Sequence, residues 1–219
     1  SEEFAQLSPR EYVHDVLVER IGLQEVTVGY DHRFGKDRAG DVALLRELGT
    51  EYGFSVDVIP PQEVDHDVVS SSSIRALLQD EGGVQQANER LGRPYQLQGT
   101  VARGEGRGRQ IGFPTANLAL DDARKLVPKR GVYATRVQLP GGRYCGGMMN
   151  IGRRPTFDGM DVTAEVHLLN SEGDLYGEHL SVQFLQRLRD EQRFESAEAL
   201  AAQLSKDEQR CTAVVEAAT

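Results

Sequence analysis

Residues 103–118 read RGEGRGRQIGFPTANL, and what this run can do sets what the chain on either side must be. Gly104, Gly106, Gly108 and Gly112 are interleaved with Glu105, Arg107 and Arg109. Such a loop can bring backbone N–H groups against phosphate oxygens while its arginines supply positive charge. The same spacing also suits a flexible hairpin turn, and spacing alone leaves both open. The run is neither a GxxxxGK[ST] loop nor a GxGxxG dinucleotide fingerprint. Pro114 then fixes the backbone, and Thr115 and Asn117, two apart in an extended segment, point to one face. A hydroxyl and an amide oxygen are hard donors suited to Mg²⁺, which keeps most of its waters and binds beside phosphates. Alternatively, the pair simply holds a turn together.

Downstream and just upstream, short strand candidates lie at 96–102, 131–139, 143–151, 163–169 and 179–185, separated by glycine-rich turns. Several short strands with few helices point to a small antiparallel barrel. A last helix over about 196–217 starts at Ser196 and carries Leu200, Leu204, Cys211 and Val215 on one face. Before Gly92-Arg93-Pro94, a plausible linker, the pattern alternates helix and strand in the manner of a parallel α/β sheet. Ser8-Pro9-Arg10-Glu11 reads as a capping box, followed by Tyr12, Val13, Val16, Leu17 and Ile21 on one helix face and by a stop at Gly22. Strands are expected at 25–30 and 54–59, with a helix over about 40–52 between them. Ser71 or Ser72 is expected to cap a helix bearing Ile74, Leu77 and Leu78. The predicted domains are therefore 1–93, part of an α/β domain, and 94–219, an all-β barrel with a C-terminal helix. Two strands are too few for a doubly wound sheet, so residues 1–92 are expected to self-associate through uncovered apolar surface.

The 219 residues are 39% hydrophobic and carry a net charge of −9, unevenly placed. Residues 1–92 hold 8 Lys/Arg against 18 Asp/Glu, whereas 103–154 hold 11 against 3. The acidic balance, with 6% aromatic residues and no Trp, argues against nucleic-acid binding. A local basic stretch suits a small anionic ligand such as a nucleotide. Cys145 and Cys211, with no CxxC, exclude a disulfide framework and a cysteine-rich zinc site. The start SEEFAQLSPREY lacks a signal-peptide pattern, and no apolar run approaches the roughly 18 residues of a membrane span, so a cytoplasmic setting away from membranes is expected.

GEGRGRQIGFPTANL resembles the nucleotide-binding segment of riboflavin kinases, whose hallmark is GFPTAN after a glycine-rich loop. Gly131-Val132-Tyr133-Ala134, Asn150-Ile151-Gly152, Arg154-Pro155-Thr156-Phe157, Glu165-Val166-His167-Leu168-Leu169 and Asp174-Leu175-Tyr176-Gly177 follow in the family's order. Leu188-Arg189-Asp190-Glu191 with Phe194 completes the set, so the likeness runs over about residues 95–210. The first half resembles the adenylyltransferase domain of bacterial bifunctional riboflavin kinase/FAD synthetases. Val28-Gly29-Tyr30-Asp31 with Arg33-Phe34-Gly35-Lys36 and the segment Val69–Arg75 carry that likeness. His32 stands where Phe is usual, and Ser72 and Ser73 replace Thr and Arg. The five histidines, His14, His32, His66, His167 and His179, form no HxGH pattern, so adenylyl transfer is not expected of these residues alone.

The resemblance implies a six-stranded barrel that phosphorylates riboflavin at its 5′-hydroxyl with ATP and Mg²⁺, giving FMN. Glu165 would be the general base. Its neighbours Ala164, Val166 and Leu168 alternate onto the opposite face, which lets Glu165 point away from the apolar layer. Gly104, Gly106, Arg107, Gly108, Arg109 and Gly112 would cover the ATP phosphates, and Thr115 and Asn117 would hold Mg²⁺. Arg189, Glu191 and Phe194 would face the flavin; Ser71, Ser72 and Arg75 would be the phosphate-contacting remnant of the adenylyltransferase. His167 is read as a structural hydrogen-bonder, Met148-Met149 as core, Tyr176 as turn packing, and the cysteines as small core side chains. The alternative is a barrel that binds flavin or nucleotide without turnover.

Overall fold

The structure is a computed structural model that describes residues 5–64, 67–104, 107–156, 159–170, 173 and 175–218. It divides into two compact units, Ser1–Val68 and Val69–Thr219.

In the first unit, helix α1 is α-helical over Pro9–Glu11 and π-helical over Tyr12–Val18. The capping box forms: Glu11 N–H donates to Ser8 Oγ at 3.3 Å, and Ser8 N–H donates to Glu11 Oε2 at 2.8 Å. The π-helical stretch displaces the expected apolar face. Glu19 N–H reaches back to His14 O and Ile21 N–H to Val16 O, five residues each, so the 3.6-residue period no longer applies. Val13 is buried as expected, but Ile21 is 63% exposed. Strands β1 (Glu25–Gly29) and β2 (Ser55–Ile59) pair in parallel, Glu25 opposite Ser55 through Gly29 opposite Ile59. Between them runs α2 (Val42–Tyr52), N-capped by Asp41 and stopped by Gly53 at φ 79°. Val13, Val28, Phe34, Leu45, Leu48 and Phe54 form this unit's core. A short antiparallel pair, β3 (Glu63–Val64) and β4 (Asp67–Val68), follows.

The second unit opens with α3 (Ser71–Ala76), which continues π-helically over Leu77–Glu81, and α4 (Val84–Leu91). Ser70, rather than Ser71 or Ser72, is the cap. Its hydroxyl accepts from Ser73 N–H at 3.1 Å while Ser73 Oγ accepts from Ser70 N–H at 3.1 Å, a reciprocal box that Ser73 completes where the resemblance would place Arg.

Six strands then close an antiparallel barrel: β5 (Gln96–Ala102), β6 (Ala116–Leu120), β7 (Gly131–Gln138), β8 (Tyr144–Thr156), β9 (Gly159–Leu168) and β10 (His179–Arg189). Around the barrel the order is β10-β5-β6-β9-β8-β7, with β7 paired back to β10. β6, absent from the five strands read by pattern, is the extended tail of the GFPTAN segment. Leu97, Tyr133, Met149, Val166, Val182 and Phe184 fill the core without exposure. Helix α6 (Ala197–Ala217), capped by Ser196, covers Val132, Ala134, Met148 and Leu188 on the outer face.

The compositional break at Gly92-Arg93-Pro94 lies inside this unit. Leu77, Leu78, Val84 and Ala87 belong to the barrel's own core cluster. Asn88 closes the turn: its Nδ2 donates to Phe184 O at 2.8 Å, and its Oδ1 accepts from Tyr95 N–H at 2.7 Å. The unit division falls at Val68/Val69, and the apolar faces of α3 and α4 are buried with the barrel's core.

Candidate active site

One row of residues crosses five strands of the barrel. Asn117 of β6 lies opposite Glu165 of β9, Glu165 opposite Asn150 of β8, Asn150 opposite Val132 of β7, and Val132 opposite Arg189 of β10. Opposed residues on antiparallel strands share a face. Along the strands their neighbours Val166, Met149 and Tyr133 are fully buried inside, so the row faces outward, as the alternation around Glu165 predicts.

The glycine-rich loop packs down on one end of this row. A Cβ on Gly104 would sit 1.9 Å from Asn117 Nδ2, and one on Gly108 would sit 2.1 Å from Phe113 O. The short helix α5 (Arg107–Gln110), which contains Gly108, is followed by a turn at Gly112, at φ +85°, and Phe113 N–H donates to Gly108 O at 2.9 Å. Thr115 Oγ1 then donates to Glu165 Oε2 at 3.2 Å.

Thr115 stands on the wall between two cavities. The smaller, about 440 Å³, is bounded by Arg103, Gly104, Arg109, Asn117, Leu175 and Tyr176, and the Arg103 guanidinium lies 5.0 Å above the Tyr176 ring. The larger, about 720 Å³, is walled by Phe113, Met148, Glu165, Arg189 and Phe194, with Leu200 and Leu204 of α6 at its back. One cavity thus offers cations and backbone, the other aromatic and aliphatic surface. Glu165 stands where Thr115 joins them.

His167 and the Arg189–Asp207 pair brace the walls. His167, 8% exposed, faces Pro114 O through Nδ1 at 2.8 Å; a carbonyl only accepts, so Nδ1 carries the proton. Its ring meets Phe113 edge-on at 5.4 Å, which anchors the GFPTAN backbone as expected of a structural hydrogen-bonder. Arg189 donates from Nε to Asp207 Oδ2 at 2.7 Å and from Nη1 to Asp190 O at 2.9 Å, with its guanidinium 5.8 Å over the Phe194 ring. The Glu191 carboxylate covers Gly152, whose Cβ would come within 2.6 Å of Glu191 Oε1. Arg187 donates to Asp190 Oδ1 at 2.6 Å and holds that carboxyl below its ordinary range.

Of the residues singled out by sequence, Gly104, Arg109, Thr115 and Asn117 meet at the smaller cavity. Gly108, Thr115, Glu165, Arg189, Glu191 and Phe194 meet at the larger. Gly112 supplies the turn. Gly106 and the side chain of Arg107 lie outside the described residues, as do Phe157 and Asp174 of the family motifs. Ser71, Ser72 and Arg75 are exposed on α3 and line neither cavity. Sequence reading quoted Arg103 and Asn150 within motifs but gave them no role, and missed Asp207; Tyr176 lies in a turn as expected and also borders the smaller cavity. Asp207 was legible in principle: it interrupts the stripe Leu200, Leu204, Cys211, Val215 at the helical spacing, where an apolar residue belongs.

The riboflavin kinase family model matches residues 91–215, and the FAD synthetase model matches residues 1–73. The bifunctional riboflavin kinase/FMN adenylyltransferase of Escherichia coli (strain K12) is 40% identical over 205 residues, covering 94% of this chain and 64% of that protein. The protein of the same name from Pseudomonas fluorescens is 42% identical over 209 residues, covering 94% and 66%. The chain therefore spans somewhat under two thirds of these relatives. A crystal structure described as a macrolide-efflux protein from Streptococcus pneumoniae superposes with a TM-score of 0.83 at 34% identity, over 95% of this chain and 66% of that one. No helix among the described residues is long and apolar enough to cross a membrane.

Proposed function

The chain belongs to the riboflavin kinase family, and from that premise we propose that its barrel unit, residues 69–219, transfers the γ-phosphoryl group of ATP to the 5′-hydroxyl of riboflavin, giving FMN and ADP. The observation that carries this reading is the carboxylate of Glu165 at the junction of a cationic and an apolar cavity, hydrogen-bonded to Thr115 on their shared wall.

Phosphoryl transfer asks a protein mainly for positioning and charge stabilisation. The larger cavity would take the flavin ring against Phe113, Met148 and Phe194, with Arg189 at its polar edge. Arg103 and Arg109 would face the polyphosphate in the smaller one. The hydroxyl oxygen then attacks the γ-phosphorus, the bond to the β–γ bridging oxygen breaks, ADP leaves, and the hydroxyl proton passes to Glu165.

The residues present fit Mg²⁺. Thr115 gives its proton to Glu165, which leaves its oxygen lone pairs available, and the Asn117 amide is fixed in place by its contact with Gly104. These two hard oxygens would hold the ion beside phosphate and water oxygens, the mixed shell that Mg²⁺ prefers. Bound there, it would offset charge on the phosphates. A cytoplasmic setting goes with this reading. The adenylyl transfer in the relatives' names is not assigned to these 219 residues, which contain no HxGH.

The test is a chromatographic product assay with riboflavin, ATP and Mg²⁺, run beside Glu165→Gln. The parent is expected to form FMN, and the variant to lose about 10²–10⁴-fold in kcat, the usual contribution of a general base. Binding of both substrates without FMN would favour a non-catalytic module; FAD as a second product would restore adenylyl transfer to the chain.

A further inference from the structure

We infer that Asp207, which lines neither cavity, is a positioning residue that sets Arg189 for the flavin; this rests on the larger cavity taking the flavin, as proposed above. Asp207 is fully buried on α6, and the Arg189 side chain is 12% exposed. Burying a carboxylate is costly, and replacing a buried ion pair by well-packed apolar residues is often neutral or stabilising. The stripe along α6 would be served by a leucine at 207, so packing does not explain the aspartate.

The geometry does. Asp207 uses both oxygens, Oδ2 accepting from Arg189 Nε at 2.7 Å and Oδ1 from Gln203 Nε2 at 2.9 Å. Gln203, one helical turn earlier, fixes the plane of the carboxylate. That plane fixes the guanidinium, whose Nη1 is left to hold Asp190 O and whose face covers Phe194. Asp190 and Phe194 bracket the loop that ends in the α6 cap, so one carboxylate orders the whole flavin-side wall. Without it, a buried cation would stand in a cavity also lined by Glu165 and Glu191 and would be drawn toward them, away from its place beside Phe194.

The full chain provides the test. The Nε–H signal of Arg189, assigned by its loss in Arg189→Lys, is expected to exchange with water more slowly than those of exposed arginines and to lose that protection in Asp207→Ala. Riboflavin binding, read by quenching of its own fluorescence, and the riboflavin KM are expected to weaken about 10- to 100-fold in Asp207→Ala while the KM for ATP stays within about twofold. Asp207→Asn, which keeps the shape without the charge, should fall between. Because a lone substitution strands a buried charge, Arg189→Met/Asp207→Leu serves as the folded control: it should melt no lower than the parent and still bind riboflavin weakly.

A rapidly exchanging Arg189 Nε–H in the parent overturns the inference. So does riboflavin affinity unchanged in Asp207→Ala, or a loss that falls equally on both substrates. Should the parent bind no riboflavin at all, the flavin reading of the cavity fails and this inference with it. Parent binding with indifferent Asp207 variants removes the inference alone.

Discussion

The two units solve the problem of sheet edges in opposite ways. In the second, six antiparallel strands close on themselves, every strand is paired on both sides, and the interior is filled by side chains with no exposure. In the first, β1 and β2 pair only with each other among the described residues. Parallel sheets are nearly always covered on both faces, yet here Val26, Val28, Val56 and Val58 share the covered side while Thr27, Asp57 and Ile59 are exposed. The comparison teaches where chemistry can be held to sub-ångström tolerance. A row such as Asn117–Glu165–Asn150–Val132–Arg189 needs five strands locked in register, and closure is what locks them.

The largest expected effect tests where that closed unit begins. Leu77, Leu78 and Val84 are at most 6% exposed in the barrel's core cluster. At roughly 1.5–3 kcal/mol for each buried side chain of this size, their removal costs about 5–9 kcal/mol, comparable to a whole domain's stability. Residues 69–219 alone should therefore melt cooperatively, by circular dichroism, whereas residues 94–219 should lose the transition. Leu78→Ala is the point version, with an expected loss of about 2–5 kcal/mol. Equal melting of the two fragments would make α3 and α4 appendages and return the boundary to 93/94.

That boundary also shows what the sequence could convey. Composition changes at Gly92, and so does the pattern from alternating helix and strand to strand and turn. Both are local signals, whereas the burial of Leu78 in the barrel's core cluster is a long-range fact. The barrel's strands, the caps at Ser8 and Ser196 and the outward face of Glu165 were readable because each rests on a period or a spacing of a few residues. The two cavities were not readable, since the smaller is walled by β5, β6 and β9 and the larger by β7 to β10 with α6. The motif residues did converge, but Arg103 and Asn150, though inside motif runs, carry no mark of their part in the site, and Asp207 lies outside any run that spacing marks. The π-helical stretch of α1 defeated the face assignment of Ile21 for the same reason that periodicity worked elsewhere: the period itself had changed.

A smaller effect measures how tightly the closed unit stays shut. Burial pushes the Cys211 thiol from about 9 up to about 11, and Sγ donates to Gly147 O at 3.1 Å inside the unit. The folded state favours the protonated thiol, so its stabilising effect is complete below the ordinary thiol range and fades as pH rises through 11. At about 1.4 kcal/mol per pKa unit, on the order of 2–3 kcal/mol is lost by that pH. Thiol labelling at neutral pH should modify the half-buried Cys145 well before Cys211. The Cys211 rate then serves as a clock on barrel opening, to set beside hydrogen exchange of the β1 and β2 amides. The barrel is expected to open more rarely; β1 and β2 amides as protected as Cys211 would erase the contrast.

The smallest effect on stability belongs to Ile59, and it tests the open sheet directly. Ile59 is 50% exposed at the end of β2, with Tyr30 at 45% just past the end of β1. Its backbone oxygen accepts from Tyr30 N–H at 3.0 Å, a bond any side chain at 59 preserves. Ile59→Lys should therefore leave folding within about 0.5 kcal/mol of the parent, as surface changes usually do. A lysine at a bare sheet edge opposes pairing with another chain, so self-association should respond where stability does not. Sedimentation velocity over a range of concentrations is expected to show the parent associating and Ile59→Lys shifted toward monomer. A parent that stays monomeric throughout, with β1 and β2 amides still protected, would mean that an open two-stranded sheet of this composition resists pairing without a gatekeeping charge. The polar alternation of Thr27 and Asp57 on the bare face would then be the device that resists it.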